Sequence, residues 1–278
     1  MLLLKPNSGR KSGGGGKNQP SSVLKNIQPT QKYENNVKNY FNREKAKIEQ
    51  QLGRKLTEQD MQILEKAIYN LTSSPDTHIG IRFDEKDIDS ILNDGRFKSQ
   101  FETRTSGGYL SPSTRADYEH AAMSYSKTLP PEQRPIYGML FNYKKLSEVD
   151  VSHGDGSHYG KVIAIMKPDV KRYATFTGYD SLDSNGRIIP SPLLRPSRYS
   201  LDMRNSYVAI NAALTSQRLT LLETSTTYTE AQIHGGHAKV NNIQHLIFAR
   251  GTPTSQIPTA RLKQLGISWS MEGENKIN

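Results

Sequence analysis

From residue 78 the apolar positions fall at every second residue. In HIGIRF, Ile79, Ile81 and Phe83 share one side while Arg82 takes the other, which predicts a strand with one apolar face. The period then lengthens. EKDIDSILNDG spaces Ile88, Ile91 and Leu92 for the buried side of a short helix, with Gly95 as its C-terminal stop. A second helix is predicted within 113–126. Strands are predicted at 136–143, 159–166, 172–177, 218–223, 228–234 and 243–249, and TARLKQLGI predicts a last short helix. KVIAIM is apolar on both faces and therefore belongs near the centre of a sheet.

Ahead of residue 78 the pattern is helical. Between about 33 and 52 apolar residues are sparse among charges, as on a partly exposed helix. Thr57 and Asp60 then have the spacing of a capping box, and Met61, Leu64, Ile68 and Leu71 form a stripe that SSPD at 73–76 terminates. Residues 1–30, built around SGGGGKNQPSS, hold too little apolar surface to order themselves. The chain thus divides into a basic leader over 1–30, a helical lobe over 31–75 and a core over 76–278. Helices early and strands later predict an α+β fold.

Charge changes this picture less than its total suggests. The 278 residues carry a formal +10, but residues 1–50 hold ten Lys/Arg against three Glu, so most of the excess lies in the N-terminal region. No aromatic residue interleaves with the charges of 1–30, so nucleic acid is not the expected partner. No apolar run approaches the roughly 18 residues of a membrane span, so no membrane partner is expected. Cysteine is absent, which removes disulfides, thiolate nucleophiles and Cys-ligated metals. SGGGGKN fails as a phosphate loop, because Lys11 stands where a glycine is needed and Asn18 where Ser or Thr is needed.

Three segments carry candidate chemistry. In YTEAQIHGG a two-residue period sets Tyr228, Glu230, Gln232 and His234 on one face and Thr229, Ala231 and Ile233 on the other. The second face suits a core; the first is either a plain solvated face or the edge of a catalytic pocket. In SQFETRTSGGYL, Gln100, Glu102, Thr103, Thr105 and Ser106 precede Gly107 and Gly108, whose N–H groups suit an anion or the polar edge of a nucleotide; a simple connecting turn explains them equally. Arg82 can grip phosphates, or it can pair with a structural carboxylate such as Asp84 or Glu102. The His234, His237 and His245 set lacks metal-ligand spacing, so no metal is expected. GYDSLDS is no nucleophile elbow.

Four blocks in order, DGRFKSQFETRTSGGYL at 94–110, RPIYGML at 134–140, YGKVIAIMKPDVKRYATFTGYDS at 159–181 and EAQIHGG at 230–236, carry a resemblance. They resemble a bacterial domain family, long catalogued only as of unknown function, that belongs among the mono-ADP-ribosyltransferases. Its best understood members are secreted effectors that attach ADP-ribose to a threonine of host ubiquitin. The resemblance covers about 80–250. It departs at Phe83-Asp84-Glu85, where relatives read Phe-His-Pro-Asp, at Arg104, where they favour a small residue, and at Gly107, where they favour Asn.

The resemblance implies an ADP-ribosyltransferase core with NAD as co-substrate and no metal. Glu230 would take the 2′-hydroxyl of the ribose, strengthening its hold as positive charge grows on the sugar, with Gln232 beside it. Arg82 would hold the diphosphate. The turn formed by Ser99, Gln100, Thr103, Thr105, Ser106, Gly107, Gly108 and Tyr109 would embrace the nicotinamide and its ribose, and Arg134 and Tyr137 would stand at the wall. One carboxylate beside a neutral amide suits an uncharged acceptor hydroxyl, so threonine of host ubiquitin is the expected acceptor. The protein is then a monomeric effector, secreted from a bacterium and acting in host cytosol. Two other functions remain open: NAD glycohydrolysis, with water as acceptor, and a non-catalytic module that holds a partner with its helical lobe.

Overall fold

The computed structural model describes residues 45–46, 49–50, 52–60, 62, 75–105, 111–123, 125–142, 145–154, 156–178 and 229–274. The leader over 1–30, the Met61, Leu64, Ile68 and Leu71 stripe and the strand expected at 218–223 lie outside them. Among the described residues the protein is α+β. Seven strands, β1 (Thr77–Phe83), β2 (Ile136–Asn142), β3 (Val162–Met166), β4 (Ala174–Gly178), β5 (Thr229–Ile233), β6 (Ile243–Phe248) and β7 (Ser268–Met271), form one sheet in the order β4-β5-β2-β1-β3-β6-β7. Every pairing is antiparallel except β6 with β7. Among the described residues four helices with complete bounds accompany it, α1 (Ile88–Asp94), α2 (Gln100–Thr103), α3 (Pro112–Met123) and α4 (Thr259–Leu265), and residues 45–46, 49–50, 52, 58–60 and 62 are helical as well.

The alternation seen in the sequence sorts the two faces. Ile79, Ile81 and Phe83 of β1, Ala231 and Ile233 of β5, and Leu246 and Phe248 of β6 face one core, closed by Ile88 and Leu92 of α1 and Leu262 of α4. Gly95 stops α1 in the left-handed conformation that glycine adopts without a Cβ penalty (φ 71°). β3 lies between β1 and β6 with all five residues buried, as KVIAIM predicts for an interior strand. Its odd residues, Ile163 and Ile165, join Val149, Val151 and Ile247 in a second core on the opposite face. Leu52 and Leu56, from the stretch ahead of β1, pack against the first core.

Local chemistry moves several boundaries. Thr57 and Asp60 do form reciprocal caps: the Thr57 N–H donates to Asp60 Oδ2 at 2.8 Å, and the Asp60 N–H to Thr57 Oγ1 at 3.2 Å. β3 begins at Val162 rather than 159, because Ser157–Tyr159 is a 3₁₀ turn ended by Gly160 (φ 139°). A Cβ at Gly160 would lie 2.2 Å from the Phe83 carbonyl oxygen, so only glycine permits that approach. β4 begins at Ala174 because Pro168 opens a 3₁₀ segment through Tyr173. Gln100–Thr103, in the stretch expected as a turn, form the helix α2 with Ser99 as its N-cap. β7 has no counterpart among the expected strands.

Candidate functional site

α3 is polar on most of its length, yet two of its side chains, Arg115 and Glu119, reach Tyr137 of β2. Ser111 and Pro112 start it. The Ser111 Oγ accepts the Thr114 N–H at 3.2 Å, and proline fills the first helical position, where its missing N–H costs nothing. Arg115 and Glu119, one turn apart, then share a side of the helix. Opposite them, Pro130 and Pro131 lead through a 3₁₀ turn into Arg134, just ahead of β2.

A buried ion pair joins these pieces. Arg134 Nη1 donates to Glu119 Oε2 at 2.7 Å, with the two side chains 2% and 0% exposed. The rest of the Arg134 guanidinium gathers the carbonyls of Lys127 at 2.7 Å, Ser126 at 3.2 Å and Leu129 at 3.3 Å, and its carbon lies 4.2 Å from the centre of the Phe101 ring. The Tyr137 hydroxyl donates to the other oxygen of Glu119 at 2.9 Å, and the Arg115 guanidinium stacks 4.1 Å from the centre of the Tyr137 ring. Burial pushes the Glu119 carboxyl up, while Arg134 and Tyr137 pull it back. Burial, then Glu119, then Glu230 hold the Tyr137 hydroxyl well above the usual tyrosine range, against the pull of Arg115, so it keeps its proton.

Tyr137 pairs across the strands with Gln232, and Met139 with Glu230. Gln232 Nε2 donates to Glu230 Oε1 at 2.7 Å, so amide and carboxylate form one unit on this face, with Glu230 2% exposed. His234, next along the face, meets the Tyr125 hydroxyl through Nδ1 at 2.8 Å, and burial drives its pKa down to about 3. A neutral imidazole there adds no charge to the carboxylates.

The other expected site residues take varied places. Extending the β1–β2 register by two residues puts Arg82 in the row of Tyr137 and Gln232. Its guanidinium donates to the carbonyls of Val151 at 2.7 Å, Asp150 at 2.9 Å and Gly160 at 3.5 Å, so it secures the 150–160 loop rather than presenting an open fork. Asp84 pairs with Lys86 and Glu102 with Arg96. Ser99 and Glu102 make the capping box of α2, and the Ser99 Oγ donates to the Pro131 carbonyl at 2.7 Å, tying α2 to the turn before Arg134. Gln100 opens α2, and Thr103 Oγ1 donates to the Thr105 carbonyl at 2.8 Å. Ser106, Gly107, Gly108 and Tyr109 lie outside the described residues.

The histidines do not converge. His237 stacks flat on Tyr173 with ring centres 3.5 Å apart, and His245 sits between Ser268 at 2.7 Å and Ser270 at 2.9 Å. Among the described residues no group of three or more His, Asp or Glu is placed to hold a metal ion, and no helix is long and apolar enough to cross a membrane. The residue that sequence reasoning missed is Glu119. Its signal was there: a Ser-Pro helix start, then Arg115 and Glu119 at a one-turn spacing within an otherwise polar helix.

The "Gene 2 protein" of Mycobacterium phage D29 is 30% identical over 198 residues, covering 67% of this chain and 70% of the relative. This chain belongs to the mycobacteriophage Gene 2 protein family. A second Gene 2 protein, from Mycobacterium phage L5, is also 30% identical, over 199 residues and the same shares of both chains. The family model described as "Protein of unknown function (DUF3626)" matches residues 77–187. In this Gene 2 family member the matched segment carries Arg82, Arg115, Glu119, Arg134 and Tyr137, while Glu230 and Gln232 follow it. Neither description names an activity.

Proposed function

We propose that this protein is a mono-ADP-ribosyltransferase with an ADP-ribosyltransferase-like core, moving ADP-ribose from NAD to a hydroxyl side chain of a protein, with threonine of ubiquitin as the first acceptor. The observation that carries the reading is the buried Glu230 carboxylate held by the Gln232 amide at 2.7 Å, on the face crossed by Tyr137 and the Glu119–Arg134 pair. The resemblance of the four sequence blocks supplies the reaction class.

In the reaction the bond between nicotinamide and ribose breaks, and its electron pair leaves with the nicotinamide ring. Positive charge rises on the ribose, and a carboxylate on the 2′-hydroxyl binds that state more tightly than the ground state. Glu230 takes this role. Gln232 is neutral, so it fixes the Glu230 oxygen without cancelling its charge. The acceptor oxygen then bonds to the anomeric carbon and releases its proton. With ubiquitin as acceptor, the protein works in a host cytosol after export from a bacterium.

The test is mass spectrometry of ubiquitin incubated with the protein and NAD, beside a parallel incubation with a mycobacterial protein extract and labelled NAD. The expected result is an added ADP-ribose on a hydroxyl residue, lost in Glu230→Ala while the folded state persists. Full activity in that variant removes Glu230 from the role. Labelling confined to the extract moves the acceptor from ubiquitin to a bacterial protein. Free ADP-ribose formed at one rate with or without acceptor assigns water as the acceptor instead.

A further inference from the structure

Resting on that reading, one feature of the site assigns a role to a residue outside the four blocks. Tyr137 is gripped at both ends by a single turn of α3: Arg115 lies over its ring at 4.1 Å, and Glu119 accepts its hydroxyl proton at 2.9 Å. With its proton committed to Glu119, the Tyr137 oxygen offers only lone pairs to anything else. Tyr137 is part-exposed as a residue, whereas Glu119 and Gln232 are buried, so a ligand that reaches Glu230 meets Tyr137 beside it.

We propose that Glu119 is a positioning residue of this site: paired to Arg134, it fixes Tyr137 as a hydrogen-bond acceptor for an N–H or O–H group of the bound nucleotide, beside the Gln232–Glu230 unit. A buried ion pair is seldom the most stabilising way to fill its volume, since apolar side chains of similar size serve as well or better. Here both carboxylate oxygens are used, one by Arg134 and one by Tyr137, so the pair sets the direction of a third group. That third group sits across the strands from Gln232, at the separation where side chains of paired residues touch.

The experiment is a double-mutant cycle with Tyr137→Phe and Glu119→Gln, reading NAD turnover and NAD binding by calorimetry on the full chain. Tyr137→Phe leaves the Glu119–Arg134 pair in place. It is expected to weaken NAD binding about tenfold, as for a lost ligand hydrogen bond, and to lower Tm modestly, because one buried Glu119 oxygen loses its donor. Glu119→Gln is expected to do the same in the wild-type background and to add little in the Tyr137→Phe background, because the two act through one group. Additive losses, or unchanged NAD binding in Tyr137→Phe, overturn the proposal. If Glu119→Gln does not fold, Glu119→Asp takes its place, since it keeps the charge but draws the carboxylate back from the tyrosine. Wild-type protein that neither binds nor consumes NAD overturns the transferase reading along with this one. Wild-type activity with an indifferent Tyr137 overturns this one alone.

Discussion

Glu119 and Arg134 depend on each other more than either depends on the sheet. Arg134→Met would leave a buried carboxylate without its ion-pair partner, and removing one partner of such a pair costs about 3–5 kcal/mol. Urea unfolding of that variant is expected to show a loss of this size, with an unchanged slope. Glu119→Met combined with Arg134→Met is expected to recover much of it, because neither half of the pair is then left buried without the other. The same residues show how far the sequence could be read. Glu230 and Gln232 were legible because a strand's two-residue period puts them on one face whatever the tertiary context. Arg82 was legible as the odd charge on its strand, but not its partners: they are carbonyls of a loop some seventy residues away. A spacing rule cannot report such contacts. Glu119 was hidden for the same reason, since its partners Arg134 and Tyr137 meet it only in the folded chain.

At the level of elements, periodicity located most strands and α1, where burial and spacing agree. It failed where side chains met local backbone needs. α2 is a helix because Ser99 and Glu102 cap it, although its composition reads as a turn. β7 escaped because Ser268 and Ser270 stand where apolar residues usually mark a buried strand face, and they pair with His245 instead. α2 also ends in a strained way. Arg104 takes the left-handed conformation (φ 60°) with an exposed side chain, the position where the resembling family favours a small residue. Arg104→Gly exchanges that strain for a more flexible unfolded chain, a net gain of about 0.5 kcal/mol, or roughly 1–2 °C in Tm. Calorimetry checks it, and a fall in Tm would mean that Arg104 makes a compensating contact.

Among the described residues burial lowers the pKa of four histidines, His78, His234, His237 and His245, so each favours its neutral form in the fold. Burial lowers His234 to about 3 and His245 to about 4, and lowers His78 to about 4 with help from Lys171. In the unfolded chain each binds a proton below about pH 6.5. The unfolded state therefore holds more protons, and stability falls as pH drops from about 6.5 towards 4. Thermal unfolding at pH 5 is expected to come at least roughly 5 °C below that at pH 7, and His245→Asn to narrow the gap.

The strand order bears on how the protein is made. β1 is the first strand in sequence among the described residues, yet it lies in the middle of the sheet, flanked by strands synthesised after it. β2 must hold one edge open until β5 arrives, which closes a loop on the order of a hundred residues before that pairing is rewarded. The arrival of β5 is what sets Gln232 beside Tyr137. A chain cut short before β5 lacks Glu230 and Gln232 and also Leu246, Phe248 and Leu262 of the first core, so the site is never assembled ahead of the interior that holds it.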